Sequence, residues 1–253
     1  MIRIEHDGSM MTITLDRPQS RNAFTPEMVE RLGEAITTAS DDADCRCLVI
    51  TGAGDHFCTG RDLKATTADG PLPEVLAKDG AWSAVIQRLH ASNTPSVAVV
   101  RGFAVAGGFT LSMGCDFVIA DRSARFGALE MANGFPAAVA TPVLAHLIGP
   151  RLSLELAMMG QPVPAERLFE MGLINRLAED ADDLERLAAE FTGRLVELDP
   201  TSVALTKEIH RAATNMPLAN GLDMGKQLNS LIATSGVFDA AAKAFEAKRK
   251  KKN

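Results

Sequence analysis

No uncharged apolar run in the sequence approaches the roughly 18 residues a membrane span requires. The N-terminus, Met1-Ile2-Arg3-Ile4-Glu5-His6-Asp7, carries charges where a signal peptide would need a continuous apolar stretch. Cysteine is scarce: Cys45, Cys47, Cys58 and Cys115 show no disulfide-framework spacing, which fits a reducing cytoplasm. The five histidines show no ligand spacing and Cys45-x-Cys47 lacks a partner pair, so no metal site is expected. No G-x-S-x-G elbow occurs, which argues against a serine hydrolase of that type. Excess positive charge is also missing. The net charge of −6 disfavours nucleic acid and anionic membrane surfaces as partners.

What is present is a chain of 253 residues, 46% hydrophobic, enough for one large domain or two small ones. Ile2 and Ile4, then Met11, Ile13 and Leu15, alternate around Asp7-Gly8 and predict an opening β-hairpin. Thr25 can cap a helix that starts at Pro26 and buries Met28, Leu32, Ala35 and Ile36. Short apolar strands follow at 47–50, 97–100 and 117–120. Between them, 65–80 reads as a mobile loop and 82–89 as a helix. Strand, glycine-bearing turn and helix occur in that order twice, about fifty residues apart, which suggests stacked units. Beyond Pro142 the strand signal disappears. Helices are predicted over 152–159, 165–171, 182–198, 202–211, 218–234 and 238–251.

Three stretches carry chemistry. Thr51-Gly52-Ala53-Gly54-Asp55-His56-Phe57-Cys58-Thr59-Gly60-Arg61-Asp62-Leu63-Lys64 is no dinucleotide fingerprint, because Phe57 stands where a third glycine belongs. Gly60 can instead adopt positive φ and turn the next N–H outward. In Ala104-Val105-Ala106-Gly107-Gly108, two glycines open a helix, leaving N–H groups without intrahelical partners beside the positive end of its dipole. Such an end suits an anion, although close helix–strand packing would use the same glycines. Glu130, in Phe126-Gly127-Ala128-Leu129-Glu130-Met131-Ala132-Asn133-Gly134, is the last carboxylate before Glu155. A carboxylate with apolar neighbours is a candidate for a raised pKa.

Together, in this order, the three stretches resemble the crotonase (enoyl-CoA hydratase/isomerase) family. Leu15-Asp16-Arg17-Pro18 with Arg21-Asn22-Ala23-Phe24, then Gly149-Pro150-Arg151, Gly160 and Gly172-Leu173-Ile174-Asn175-Arg176, extend the resemblance over essentially the whole chain. It implies an α/β fold: a spiral of repeated β-β-α units over 1–197, followed by a helical oligomerisation region over 198–253. It implies a homotrimer or a hexamer of paired trimers. It also implies an acyl group carried as a coenzyme A thioester, with no permanently bound cofactor.

By the same resemblance, the backbone N–H groups of Arg61 and Gly107 form the oxyanion hole, and Glu130 moves a proton. Asp62 and Lys64 fall where the nucleotide end of coenzyme A lies. Phe245 and Lys248 match residues that the last helix of a neighbouring subunit contributes there. The sequence departs from the two-glutamate hydratase pattern at Thr110, which stands where the first glutamate belongs. A threonine can orient a water but cannot be its base at neutral pH. One-glutamate chemistry therefore favours an isomerase that shifts a double bond, with hydration as the alternative. An acyl-CoA binder without turnover, or an RNA-binding homologue using Lys248–Lys252, is the reading of another class. That terminal charge run has no aromatic stacking platform, which argues against RNA.

Overall fold

The structure is a computed structural model describing residues 1–65 and 71–234. Strands β1 (Ile2–Asp7) and β2 (Met10–Leu15) form the expected antiparallel hairpin, with Gly8 at φ +56° in its turn. Helix α1 (Pro26–Asp41) begins where Thr25 accepts the Met28 N–H at 3.3 Å, and it buries Met28, Leu32, Ala35, Ile36 and Ala39. Strand β3 (Cys47–Gly52) lies parallel to β2.

Helix α2 (Leu72–Ala91) starts ten residues before the predicted 82–89 helix, so 72–80 is not loop. Pro73 sits in its first turn, where a missing N–H costs nothing, and Gly80 is carried inside the helix. Read along the sequence, those two residues looked like breakers.

The next strands divide between two sheets. Strands β4 (Ser96–Val100), β6 (Phe117–Asp121) and β9 (Arg176–Ala178) extend the first into a six-stranded sheet of order β1-β2-β3-β4-β6-β9. Strands β5 (Phe103–Val105), β7 (Arg125–Gly127) and β8 (Val163–Pro164) form the second. The β4-β5 and β6-β7 steps are thus each a strand in one sheet followed at once by a strand in the other. Helix α3 (Gly107–Gly114) follows β5. The prediction of no strand beyond Pro142 is corrected by β8 and β9. Both are only two or three residues long, too short for a period-2 pattern, and exist through pairing with β7 and β6.

Helices α4 (Ala140–Leu147), α5 (Pro150–Met158), α6 (Ala165–Glu170) and α7 (Ala181–Val196) complete the first of two compact units, Met1–Pro200. Side chains on the two faces of the large sheet sort into two cores. Ile13, Leu15, Ile50, Ala98 and Val100 join α1–α3 in the larger one, and Cys47, Val49, Val97 and Ile119 meet α7 in the smaller. The second unit, Thr201–Asn253, is described over helices α8 (Pro200–Ala213) and α9 (Leu218–Thr234). The predicted 238–251 helix lies outside the described residues. Among the described residues, no helix is long and apolar enough to cross a membrane.

Candidate active site

Strand register assembles the site. Cys58 bridges Ala104 in parallel, and Ala104 pairs in parallel with Phe126, so the three residues lie side by side on neighbouring segments. Three residues further on, the first two segments reach Arg61 and Gly107; four further on, the third reaches Glu130. Neighbouring strands lie about 4.8 Å apart, so all three groups leave the same carboxyl-end edge within roughly two strand spacings.

Both oxyanion candidates are peptides held from behind. The Gly60 carbonyl accepts the Phe24 N–H at 2.7 Å. The Ala106 carbonyl accepts the Thr110 N–H at 3.0 Å and the Thr110 hydroxyl at 3.3 Å. A trans peptide points its N–H opposite to its C=O, so fixing each carbonyl on the body of the protein aims the Arg61 and Gly107 N–H groups away from it. Among the described residues, neither N–H has an acceptor.

The glycines around these peptides are required by space. Gly60 has φ +88°, and a Cβ there would lie 2.7 Å from the Ala106 Cβ and 2.9 Å from the Gly107 nitrogen. A Cβ on Gly108 would come within 2.2 Å of the Cys58 carbonyl oxygen. Ala106, with φ 50° and ψ −122°, occupies backbone space that residues with a Cβ rarely visit. Its N–H donates to the Gly127 carbonyl at 2.8 Å, which ties the strained turn to β7.

Glu130 differs from every other polar side chain described. Its Oε2 is the one buried side-chain nitrogen or oxygen without a hydrogen-bond partner among the described residues. Burial pushes its carboxyl above the ordinary glutamate range, partly offset by its own backbone N–H. The backbone is fixed, since the Glu130 carbonyl accepts the N–H groups of Asn133 at 2.9 Å and Phe135 at 3.2 Å. Gly160 packs against this turn, where a Cβ would lie 2.9 Å from the Ala132 nitrogen.

The remaining sequence candidates fall into different surroundings. Thr110 is 2% exposed, and its hydroxyl is engaged with Ala106. The Arg61 guanidinium turns to Asp79 of α2 at 2.8 Å. Asp62 takes the Arg17 guanidinium at 2.7 Å and the Lys64 N–H at 3.0 Å, and the Arg17 contact holds its carboxyl below the usual range. It thereby shapes the loop, while Lys64 is exposed. Asp116 accepts the Ser96 N–H at 2.7 Å and its hydroxyl at 2.8 Å, a structural role that ties the start of β4 to the start of β6. Phe245 and Lys248 lie outside the described residues.

Several contributors were not singled out from sequence. Asn22, fully buried at φ 58°, accepts the Arg17 N–H at 2.8 Å and donates to the carbonyls of Ala53 at 2.9 Å and His56 at 2.7 Å. Its own carbonyl takes the Cys58 thiol at 3.1 Å. The same sulfur accepts the Gly60 N–H at 3.3 Å, and burial pushes the thiol pKa up to about 12. Phe24 and Trp82 flank Gly107. Sequence offered a hint only for Asn22, a type tolerated at positive φ. A cavity of about 480 Å³ lined by Thr12, Thr14, Arg101 and Leu184 lies on the α7 face of the large sheet, not at this edge.

The chain is also similar to known proteins along nearly its whole length. The enoyl-CoA hydratase/isomerase family model matches residues 5–252. The 1,2-epoxyphenylacetyl-CoA isomerase of Escherichia coli is 33% identical, over 96% of this chain and 94% of its own. The carnitinyl-CoA dehydratase of Salmonella typhi is 32% identical, over 87% and 84%. The crystal structure of an enoyl-CoA hydratase from Bacillus anthracis superposes with a TM-score of 0.89 at 28% identity, over 98% and 96%. The fold is the crotonase fold. The chain belongs to the enoyl-CoA hydratase/isomerase family and is an enzyme of that family acting on acyl-CoA.

Proposed function

We propose that the protein is an enoyl-CoA isomerase in which the N–H groups of Arg61 and Gly107 hold the thioester oxygen and Glu130 carries the proton. The observation that carries this reading is the unpartnered, buried Glu130 oxygen at the same strand edge as two unpaired N–H groups. Hydrogen bonding to the thioester oxygen lets the α C–H of a 3-enoyl thioester ionise, its electron pair moving into the enolate. The Glu130 carboxylate takes that proton. As the enolate collapses, the double bond moves to C2–C3 and Glu130 returns the proton at the γ-carbon. No other reactant is consumed. Each oriented donor contributes about 3–4 kcal/mol to such a transition state, and a positioned base about 10²–10⁴-fold.

Hydration is the second reading, favoured by relatives named hydratase and dehydratase. It needs a base for water that Thr110, bonded to Ala106, does not supply. Coenzyme A enters with the substrate in either case, and no cofactor stays bound. Four buried cysteines suit a reducing cytoplasm. Exposed Leu154, Met158, Met159 and Phe169 suit burial against further copies in a trimer or hexamer, which light scattering after size exclusion would measure.

The test incubates 2-enoyl- and 3-enoyl-CoA panels with the protein in heavy water and follows mass and double-bond position, with Glu130→Gln as control. Deuterium entering 3-enoyl thioesters with migration of the double bond, lost in the variant, supports the isomerase. Brisk hydration of 2-enoyl thioesters overturns it in favour of the hydratase. Binding without exchange in any thioester points to a homologue that binds and does not turn over.

A further inference from the structure

Trp82 is the only tryptophan in the chain, and it stands beside the oxyanion turn. A Cβ on Gly107 would lie 3.5 Å from Trp82 Cζ2 and 3.6 Å from Phe24 Cδ2, ordinary van der Waals distances, so both rings line the space beside this residue. The two rings are 5.1 Å apart and tilted by 43°. Along α2, Val85 and Leu89 are sealed in the core, whereas Trp82 is only half-buried. The ring packs on the core and keeps part of its surface exposed.

The same helical turn touches both donor residues. Asp79 holds the Arg61 guanidinium at 2.8 Å, and Trp82 flanks Gly107. Phe24, the second ring, carries the N–H that anchors the 60–61 peptide. The aromatic pair is therefore fixed to the residues that carry the donors, beside any group those donors hold.

Resting on the acyl-thioester reading above, we infer that Trp82 is the specificity wall of the acyl pocket. The substrate class it selects is acyl groups with a π-face close to the carbonyl, aryl or conjugated enoyl, over saturated groups of equal size. Contact between flat π-systems in offset or tilted geometry adds to plain burial, a preference of roughly 2- to 12-fold. Leucine in place of Trp82 would keep the apolar wall and lose that increment.

Phenylacetyl-CoA and cyclohexylacetyl-CoA isolate the effect, since they share a carbon skeleton and differ in the flatness of the ring. Calorimetric titration of the full chain should give a phenylacetyl preference of about 2- to 12-fold in wild type and W82F, falling to near unity in W82L. Trp82 fluorescence in wild type should change on binding phenylacetyl-CoA and stay unchanged with coenzyme A alone. A preference that persists in W82L, or an equal fluorescence response to coenzyme A alone, overturns the wall. If W82L fails to fold by circular dichroism, the wild-type fluorescence comparison decides. If both thioesters bind and Trp82 makes no difference, only this inference falls. If neither binds, the wall falls, and the enoyl-CoA panel above decides the isomerase reading separately.

Discussion

Glu130 is costly where it stands, because a buried oxygen with no partner favours the neutral acid. Two consequences follow for Glu130→Gln. Exchange of the substrate α-proton should drop by about 10²–10⁴-fold, since the amide cannot accept the proton. In wild type, the acid limb of kcat/KM should lie above the ordinary glutamate range, because the active form is the carboxylate. Stability should move the other way. A glutamate whose folded pKa is raised binds more protons folded than unfolded, so its contribution is fully present below the unfolded pKa and is lost as pH rises through the folded one. Calorimetry should therefore show the variant melting higher near pH 7.5. That gain should vanish near pH 4. A pH-independent difference would mean Glu130 is not desolvated as described.

At the same scale, Thr110 acts here as the second anchor of the Ala106 carbonyl. Thr110→Val keeps the shape and removes that hydrogen bond, worth about 1 kcal/mol. The expected result is a roughly 5-fold lower kcat with KM nearly unchanged. A loss of 10³-fold or more would instead show that the hydroxyl takes part in the chemistry.

At the scale of elements, α3 and the Cys58 segment are set by one contact. Gly108 passes the Cys58 carbonyl where a Cβ would sit at 2.2 Å, so Gly108→Ala must push the helix away and carry the Gly107 N–H with it. Overpacking of this kind costs about 1–3 kcal/mol, and a shift of about 1 Å at the reacting atoms can cost 10²-fold. Kinetics and thermal melts on one preparation should show kcat falling about 10²-fold while most of the protein stays folded at 25 °C. Unchanged kcat would sever the proposed link between this packing and the oxyanion hole.

At the scale of the whole first unit, Asn22 ties together loops from separate strands. It joins the turn after β2 to the loop after β3, and through Cys58 to the peptide that carries the Arg61 N–H. Asn22→Ala would leave two carbonyls and one N–H, all part-buried, without their partner. Leaving such groups unsatisfied costs about 1–3 kcal/mol each, with partial relief by water, so a loss of about 3 kcal/mol is expected. Urea unfolding should show the midpoint falling with little change in m-value, and the melting temperature dropping by roughly 6–12 °C. A loss under about 0.5 kcal/mol would show that the two loops hold together without it.

Sequence alone determined the elements whose signal is local. Thr25-Pro26 and the apolar spacing after it set α1, Asp7-Gly8 set the first hairpin, and the double glycine set the start of α3. It also isolated Glu130 as a lone carboxylate and, through whole-chain resemblance, paired it with Arg61 and Gly107. Tertiary structure decided what depends on contacts distant in sequence. The register of Cys58, Ala104 and Phe126 joins residues 46 and 22 positions apart, and no local periodicity encodes it. Strands β8 and β9 exist only because partners offer them hydrogen bonds. The hydroxyl of Thr110 could serve a water or a carbonyl, and only the fold turns it to Ala106. Trp82 meets Gly107 because α2 folds back over the turn, bringing together side chains that sequence kept 25 residues apart. Residue types fix which groups can do chemistry; packing between distant segments fixes which of them face the same small volume.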